Sequence, residues 1–362
     1  MKHMKAEANN IFTRPQTKWS LGAGMQGDIV ISSRLRLARN LKNIPFPHRL
    51  NEAGQKEVLN AVSSAIPNLE KKTKRSYFYM TLAELTSLQR KMLVEKHLIS
   101  PQFAQSRIDS ALAIRQDEAV SIMVNEEDHL RIQCLLPAFS LEDAWKTAND
   151  VDDALAGKLE FAFDEQLGYL TACPTNLGTG LRASAMLHLP ALVMSKKADS
   201  IFSSLPKLGL TVRGIYGEGT SAIGNLFQVS NEITLGRSEE DIIIHLQSVV
   251  MQLVEQERQA RRIIQKEYDV LLYDNIWRAY GILSQARSLD AQEMMERLSL
   301  LRLGLDLGIF AGITHNKINE LMIAGQDAFL QSANNGESNP QKLNWERAAL
   351  VRKTLSETME VK

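Results

Sequence analysis

ALAIRQDEAVSIMVNEEDHLRIQCLL, residues 111–136, contains three short β-prone runs, at 111–115, 119–124 and 129–136. Acidic turns separate them, the second being Asn125-Glu-Glu-Asp128, and the pattern predicts an antiparallel meander. Further strands are expected at Tyr169–Cys173, Leu210–Tyr216 and Leu226–Val229, and one begins upstream at Ile29-Val30-Ile31. Helices frame this region. Asn51 to Ile66 places Val58, Leu59, Val62 and Ile66 on one face and should stop at Pro67. Thr81-x-x-Glu84 reads as a capping box opening a helix that carries Leu82, Leu85, Leu88, Met92 and Leu93 to about His97. Ser140 should cap another, with Glu142 and Asp143 in its first turn.

From Ser238 onward the pattern is helical: about Glu239 to Tyr268, then 276–330 and 344–358, with a loop from Gly336 to Pro340. Strands followed by helices imply an α+β domain with a central antiparallel sheet flanked by helices, and an appended all-α domain. The expected divisions are a flexible 1–28 segment, an α+β domain at 29–260 and a helical domain at 261–362.

Lys+Arg and Asp+Glu both count 42, so no global charge draws the chain to nucleic acid or a membrane. Lys2 and Lys5 precede no apolar core of a signal peptide, and no window reaches 18 uninterrupted apolar residues. Cys134 and Cys173 form no CxxC pair, which argues against a disulfide framework or a structural metal site. A cytoplasmic location is expected.

Gly22-Ala-Gly24-Met-Gln-Gly27 matches GxGxxG, but a strand follows it where a dinucleotide fold needs a helix; it reads as a mobile linker. Other segments combine charge with tight turns. In SSRLRLARN, 32–40, alternation puts Arg34 and Arg36 on one strand face, although the segment alone is equally a basic edge strand. The acids of NEEDHLR, 125–131, repel one another unless cations or a cationic ligand offset them. Cys173-Pro-Thr-Asn-Leu-Gly-Thr179 followed by Gly180-Leu-Arg182-Ala-Ser184 reads as a strand end and a turn that feeds a helix, whose N-terminus favours anions. Arg213-Gly-Ile-Tyr-Gly217-Glu218 adds one more charged turn.

Together these segments resemble the catalytic domain of the phosphagen kinases, from about Asp28 to Val254. CPTNLGT is that family's signature nearly letter for letter, and the other three motifs stand in the family's order. Two departures point to a branch: only a short segment precedes SSR, and Met186 stands where metabolic phosphagen kinases usually carry a histidine. These features and the helical extension resemble the bacterial protein arginine kinases of the McsB type.

The resemblance implies ATP with Mg²⁺, and a phosphate clamp of Arg34, Arg36, Arg131, Arg182 and Arg213. Arginine suits it because its planar fork binds phosphate oxygens bidentately and keeps its charge. The matching ATP positions also include Ser32, Ser33, Leu35, His97, Ala183, Ser184, Ala185, Met186, Gly214, Ile215, Tyr216, Gly217 and Glu218. No protein metal ligands are expected. For the acceptor, the resemblance implies Glu127 as base, Glu218 as the group that orients the guanidinium, and Cys173 beside its non-reacting part, as a thiolate favoured by nearby cations. It further implies protein substrates with exposed arginine, marking for a Clp ATPase and protease, control of a CtsR-type heat-shock repressor, and a zinc-binding activator of the McsA type. Alternatives are a kinase for free arginine or another small guanidino compound, and a non-catalytic adaptor that binds nucleotide or phosphoarginine.

Leu298, Leu301, Leu305 and Ile309 recur at helical spacing, so region 261–362 is expected to mediate a homodimer. Protein arginine kinases often carry Arg-Asp-x-x-Arg-Ala as a phosphoarginine pocket; here Leu343-Asn-Trp-Glu-Arg347-Ala348 lacks the leading Arg and Asp. Activation by free phosphoarginine is therefore expected to be weak, with Arg347 otherwise a solvated residue and Trp345 packed inward.

Overall fold

The computed structural model describes residues 10–22, 24–106, 108–214, 222–267 and 269–359. One eight-stranded sheet organises the first two-thirds of the chain, in the order β2-β3-β4-β5-β1-β8-β10-β9. Its strands are β1 (Val30–Arg39), β2 (Tyr77–Thr81), β3 (Ala111–Arg115), β4 (Val120–Val124), β5 (Leu130–Pro137), β8 (Leu181–His188), β9 (Leu210–Gly214) and β10 (Leu226–Asn231). Every neighbouring pair is antiparallel, and the expected meander is β3-β4-β5. A separate hairpin, β6 (Phe163–Asp164) and β7 (Gly168–Tyr169), stands beside it.

Alternation divides the sheet by chemistry. Leu35 and Leu37 of β1, Ile132 and Cys134 of β5, and Ala183 and Ala185 of β8 are fully buried in the main core. They meet α1 (Glu52–Thr73), α3 (Leu141–Ala156) and α4 (Glu239–Glu267), all of which contribute to that core. Between α1 and α3 in the chain lies α2 (Ser87–Glu95), which puts Met92 into the same core and Leu93 into a second one. The residues between those apolar ones, arginines among them, therefore face a cleft.

The helical region comprises α5 (Asp269–Gln285), α6 (Ala291–Asp306), α7 (His315–Ala324), α8 (Asp327–Ala333) and α9 (Pro340–Thr358). Helix α4 runs unbroken across position 260 and carries the chain out of the sheet domain. Polar bonds join α6 to the sheet. The Ser299 hydroxyl lies 2.8 Å from His188 Nε2 and accepts from Asn225 Nδ2 at 2.9 Å. Helix α8 packs on α2.

Several local expectations change. Helix α1 continues through Pro67 to Thr73, because Leu69 beyond the proline is fully buried and Asn68 donates to the Ala154 carbonyl at 2.7 Å. The Thr81/Glu84 box closes only one 3₁₀ turn, and a second box, Thr86/Gln89, opens α2. Ser140 precedes α3 but makes no side-chain cap; its hydroxyl donates back to Pro137. The strand expected at Tyr169–Cys173 is confined to β7. Strand β9 ends at Gly214, and Ile215 and Tyr216 lie outside the described residues.

The segment before the sheet, read as loose, is packed where it is described. Trp19 is fully buried, and its indole N–H donates to the Lys96 carbonyl at 3.0 Å. The stripe expected to mediate self-association is used inside the chain: Leu298 and Leu301 are buried, and Leu305 and Ile309 pack against the same core.

Candidate active site

The largest departure from the sequence reading lies in the signature segment. Pro174–Asn176 forms one 3₁₀ turn, and the chain then enters strand β8 rather than a helix. Two glycines redirect it. Gly178 has φ +107°, and a Cβ there would stand 2.7 Å from the Thr234 carbonyl oxygen; Gly180 has φ +65°, with the Ala38 carbonyl equally close. Glycine takes such φ values most readily, and here close backbone approach requires it. Arg182 is consequently delivered by a strand, on the period-two face.

Register then assembles the cations. Arg36 of β1 is paired with Arg182 of β8, and Arg34 with Ser184. On the other side of β1, Arg34 faces Leu135 and Ala38 faces Arg131 of β5. Gln228 of β10 lies opposite Met186 of β8 and Arg213 of β9. The result is a cavity of about 300 Å³ lined by Ser32, Arg34, Arg36, His97, Leu135, Arg182, Ser184, Met186, Arg213, Gly214 and Gln228. A smaller one of about 140 Å³ adjoins it and is lined by Arg36, Ala38, Glu127, Arg131, Cys173, Thr175, Asn176, Gly180 and Arg182. Arg36 and Arg182 line both.

The same alternation removes some expected positions from the cleft. The side chains of Leu35, Ala183 and Ala185 point into the core. Ser33 is buried on that side, its hydroxyl donating to Ala138 and accepting from the Ser140 N–H, both at 2.9 Å. Gly217 and Glu218 lie outside the described residues. Leu135 and Gln228 were missed in the sequence. Gln228 accepts from Arg34 at 2.5 Å, and its signal is a single polar residue in the apolar run LFQV, 226–229.

The cleft is electrostatically primed for an anion. Burial, and then repulsion from Arg182 and Arg131, lowers the pKa of Arg34 to about 10. Burial is also the largest influence on Arg36, which is pushed down well below its ordinary value, with Arg34, Arg131 and Arg182 adding repulsion. Arg182 is lowered by burial and then by Arg213. Among the described residues, the Nε atoms of Arg36 and Arg182 are buried without a hydrogen-bond partner. Packed like charges with orphaned donors fit polyphosphate oxygens, which would satisfy both the charge and the N–H groups.

His97 is brought to the same cavity by the end of α2, and burial, then Arg34, lowers its pKa to about 4.

The acids of the hairpin tip divide their work. Glu126 pairs with Arg131 at 2.5 Å and accepts from the Ser100 hydroxyl. Asp128 is buried and accepts from Asn40 Nδ2 at 2.6 Å and the Ala172 N–H at 2.7 Å, which ties the tip to the approach of Cys173. His129 is a framework residue: its Nδ1 accepts from the Leu41 N–H at 3.0 Å. Glu127 lines the smaller cavity with Cys173 and is held by Arg131 at 2.9 Å. The Cys173 thiol lies 3.1 Å from the Thr175 hydroxyl.

Comparison with known proteins gives this geometry a family. Residues 57–260 match the ATP:guanido phosphotransferase C-terminal catalytic domain, and residues 269–362 match the protein-arginine kinase McsB C-terminal domain. The protein-arginine kinase of Moorella thermoacetica is 52% identical over 341 residues, covering 94% of this chain and 97% of that protein. The protein-arginine kinase of Bacillus subtilis is 46% identical over 339 residues, covering 94% and 93%. Among solved structures, a lombricine kinase superposes with a TM-score of 0.57 at 25% identity, covering 68% of this chain and 71% of that one. The chain belongs to the ATP:guanido phosphotransferases, in the branch of the McsB protein-arginine kinases.

Proposed function

We propose that this protein transfers the γ-phosphoryl group of ATP to the guanidinium of arginine residues in proteins. The observation that carries the reading is the pair of adjoining cavities sharing Arg36 and Arg182: one cationic, the other holding Glu127 and Cys173. Phosphoryl transfer is mainly positioning and neutralisation of the moving charge. A chain without a P-loop must supply that neutralisation from side chains.

ATP phosphates lie along Arg34, Arg36, Arg182 and Arg213, with the γ-phosphoryl toward the shared arginines. The target guanidinium enters the smaller cavity. It is a poor nucleophile while protonated, so a carboxylate must hold its edge and take its proton as the N–P bond forms and the bond from the γ-phosphorus to the β,γ-bridging oxygen breaks, releasing ADP. Glu127 has the reach and the exposure for that step, while Arg131 keeps it aimed. Cys173 lies beside the part of the guanidinium that does not react, and Glu218 is assigned the second carboxylate role by resemblance. Mg²⁺ would supply further charge neutralisation between the phosphates. Phosphate oxygens and water would supply most of the ion's ligands.

Around this reaction we place a homodimer, a cytoplasmic setting, a zinc-binding activator of the McsA type, and phosphorylated clients that include a CtsR-type repressor and substrates of a Clp ATPase. No helix of the described residues is long and apolar enough to cross a membrane. Labelled ATP offered with an arginine-rich protein or with free arginine tests the reading. Label is expected in the protein; label in free arginine alone would make it a small-guanidine kinase.

A further inference from the structure

Glu95, Lys96 and His97 are consecutive, and each side chain serves a different part of the molecule. His97 lines the larger cavity. Lys96 is fully buried, and its ammonium donates to the carbonyls of Ile11 at 2.8 Å and Arg14 at 3.1 Å while pairing with Glu118 at 2.7 Å. The Glu95 carboxylate accepts from the backbone N–H groups of Ala328 at 2.8 Å and Phe329 at 3.2 Å, in the first turn of α8. One helix end therefore touches the cavity, the N-terminal segment and the C-terminal helical region together.

The N-terminal segment completes the connection. Trp19 donates to the Lys96 carbonyl, and its ring centre lies 5.4 Å from that of His97. The Ser20 carbonyl accepts from Asn319 of α7 at 3.2 Å. Asn319 in turn accepts from Arg302 of α6 at 3.0 Å, and Arg302 also donates to the Gly27 carbonyl at 2.7 Å.

The backbone of His97 shows why support is needed. Its φ is +60°, and the Leu98 N–H closes on the Leu93 carbonyl at 2.9 Å, a helix ending that favours glycine at the His97 position. A side chain held in that conformation persists where its surroundings fix it. Here those surroundings are Trp19, Lys96 and the elements they hold.

We propose that Glu95, Lys96 and Trp19 are positioning residues for the nucleotide: they fix His97 in the cavity, and through Glu95 the C-terminal helical region sets the affinity for ATP. The inference rests on the reading of the cationic cavity as the nucleotide site.

The test measures ATP binding directly, with steady-state kinetics beside it, in the full chain. Glu95→Gln keeps volume and removes one acceptor; Trp19→Phe keeps the ring and removes the N–H. Each is made alone and together with His97→Ala. Either single change should weaken ATP binding by about 2- to 30-fold, the scale of coupling through packed networks. The turnover number at saturating ATP and the KM for the acceptor should stay close to wild type. In the His97→Ala background neither change should weaken ATP binding further. Equal losses with and without His97 would show ordinary structural damage and overturn the proposal, as would unchanged affinity in Glu95→Gln. A wild-type protein that binds no ATP would overturn both the site reading and this inference, whereas additive losses would overturn this inference alone.

Discussion

Glu127 differs from its neighbours in having its carboxylate available to the cavity that holds Cys173. Glu126 is engaged by Arg131 and Ser100, and Asp128 by Asn40 and Ala172. The sequence showed an acidic tip but not this division, because the division depends on contacts made across the sheet. Replacing Glu127 with Gln should reduce phosphoryl transfer by about 100-fold or more. ATP affinity, measured separately, should be nearly unchanged; wild-type turnover would remove Glu127 from the mechanism. Arg182→Ala should weaken nucleotide binding and turnover together, by roughly 1.5–3 kcal/mol or about tenfold and more. Equilibrium binding and initial rates check both.

His97 gives a pH prediction at the same scale. Its pKa is lowered from 6.5 to about 4, so the folded state resists protonation. Stability present above the unfolded pKa is lost as pH falls through the folded value. Acid unfolding of His97→Gln should lack that part of the slope between about 6.5 and 4. Bound phosphates should raise the imidazole pKa, an effect visible by NMR titration with and without ATP.

At the scale of the element, what could be read in advance was periodicity. Arg34 and Arg36 were assigned to one strand face on alternation alone, and register with β5 and β8 brings Arg131 and Arg182 to that face. Leu135 looks like an ordinary strand residue, so nothing local marked it, and Gln228 stood out only as a polar residue within an apolar strand. The turn after CPTNLGT was misread because glycines before an apolar run suit a helix start as well as a strand start; what decides between them is the approach of Thr234 and Ala38. Proline misled the reading of α1 because burial beyond it outweighs a lost helix bond. Alternation has a sharp consequence on β1. Leu35→Ala should destabilise the fold by about 2–5 kcal/mol with little change in KM for ATP. Arg34→Ala should do the reverse. Chemical denaturation and kinetics on the same pair would show it, and a common phenotype would contradict the two-faced sheet.

For the whole molecule, the helical region was legible as helical, while its use of side chains was not. Arg347, read as solvated, is 1% exposed and donates to the carbonyls of Gly325 at 2.6 Å and Leu289 at 2.8 Å, to Asn344 at 2.7 Å, and to Asp327. Trp345, expected to pack inward, is 58% exposed. An arginine so fully engaged has little left for a phosphate, which strengthens the expectation that free phosphoarginine activates this enzyme weakly. Titrating phosphoarginine into a kinase assay should give no saturable activation, and Arg347→Ala should lower thermal stability. A homodimer would use a surface other than the Leu298 stripe, which is buried within the chain. Leu271 and Trp277 on α5 are exposed apolar candidates. Leu271→Asp should shift sedimentation toward monomer if α5 forms the contact.

The most direct measurement is mass spectrometry of a protein substrate incubated with this enzyme and ATP, handled at neutral pH to preserve an N–P bond. Phosphate should be found on arginine side chains with the wild-type enzyme and be absent with Glu127→Gln. Phosphate confined to serine, threonine or tyrosine, or equal arginine phosphorylation by the variant, would contradict the account.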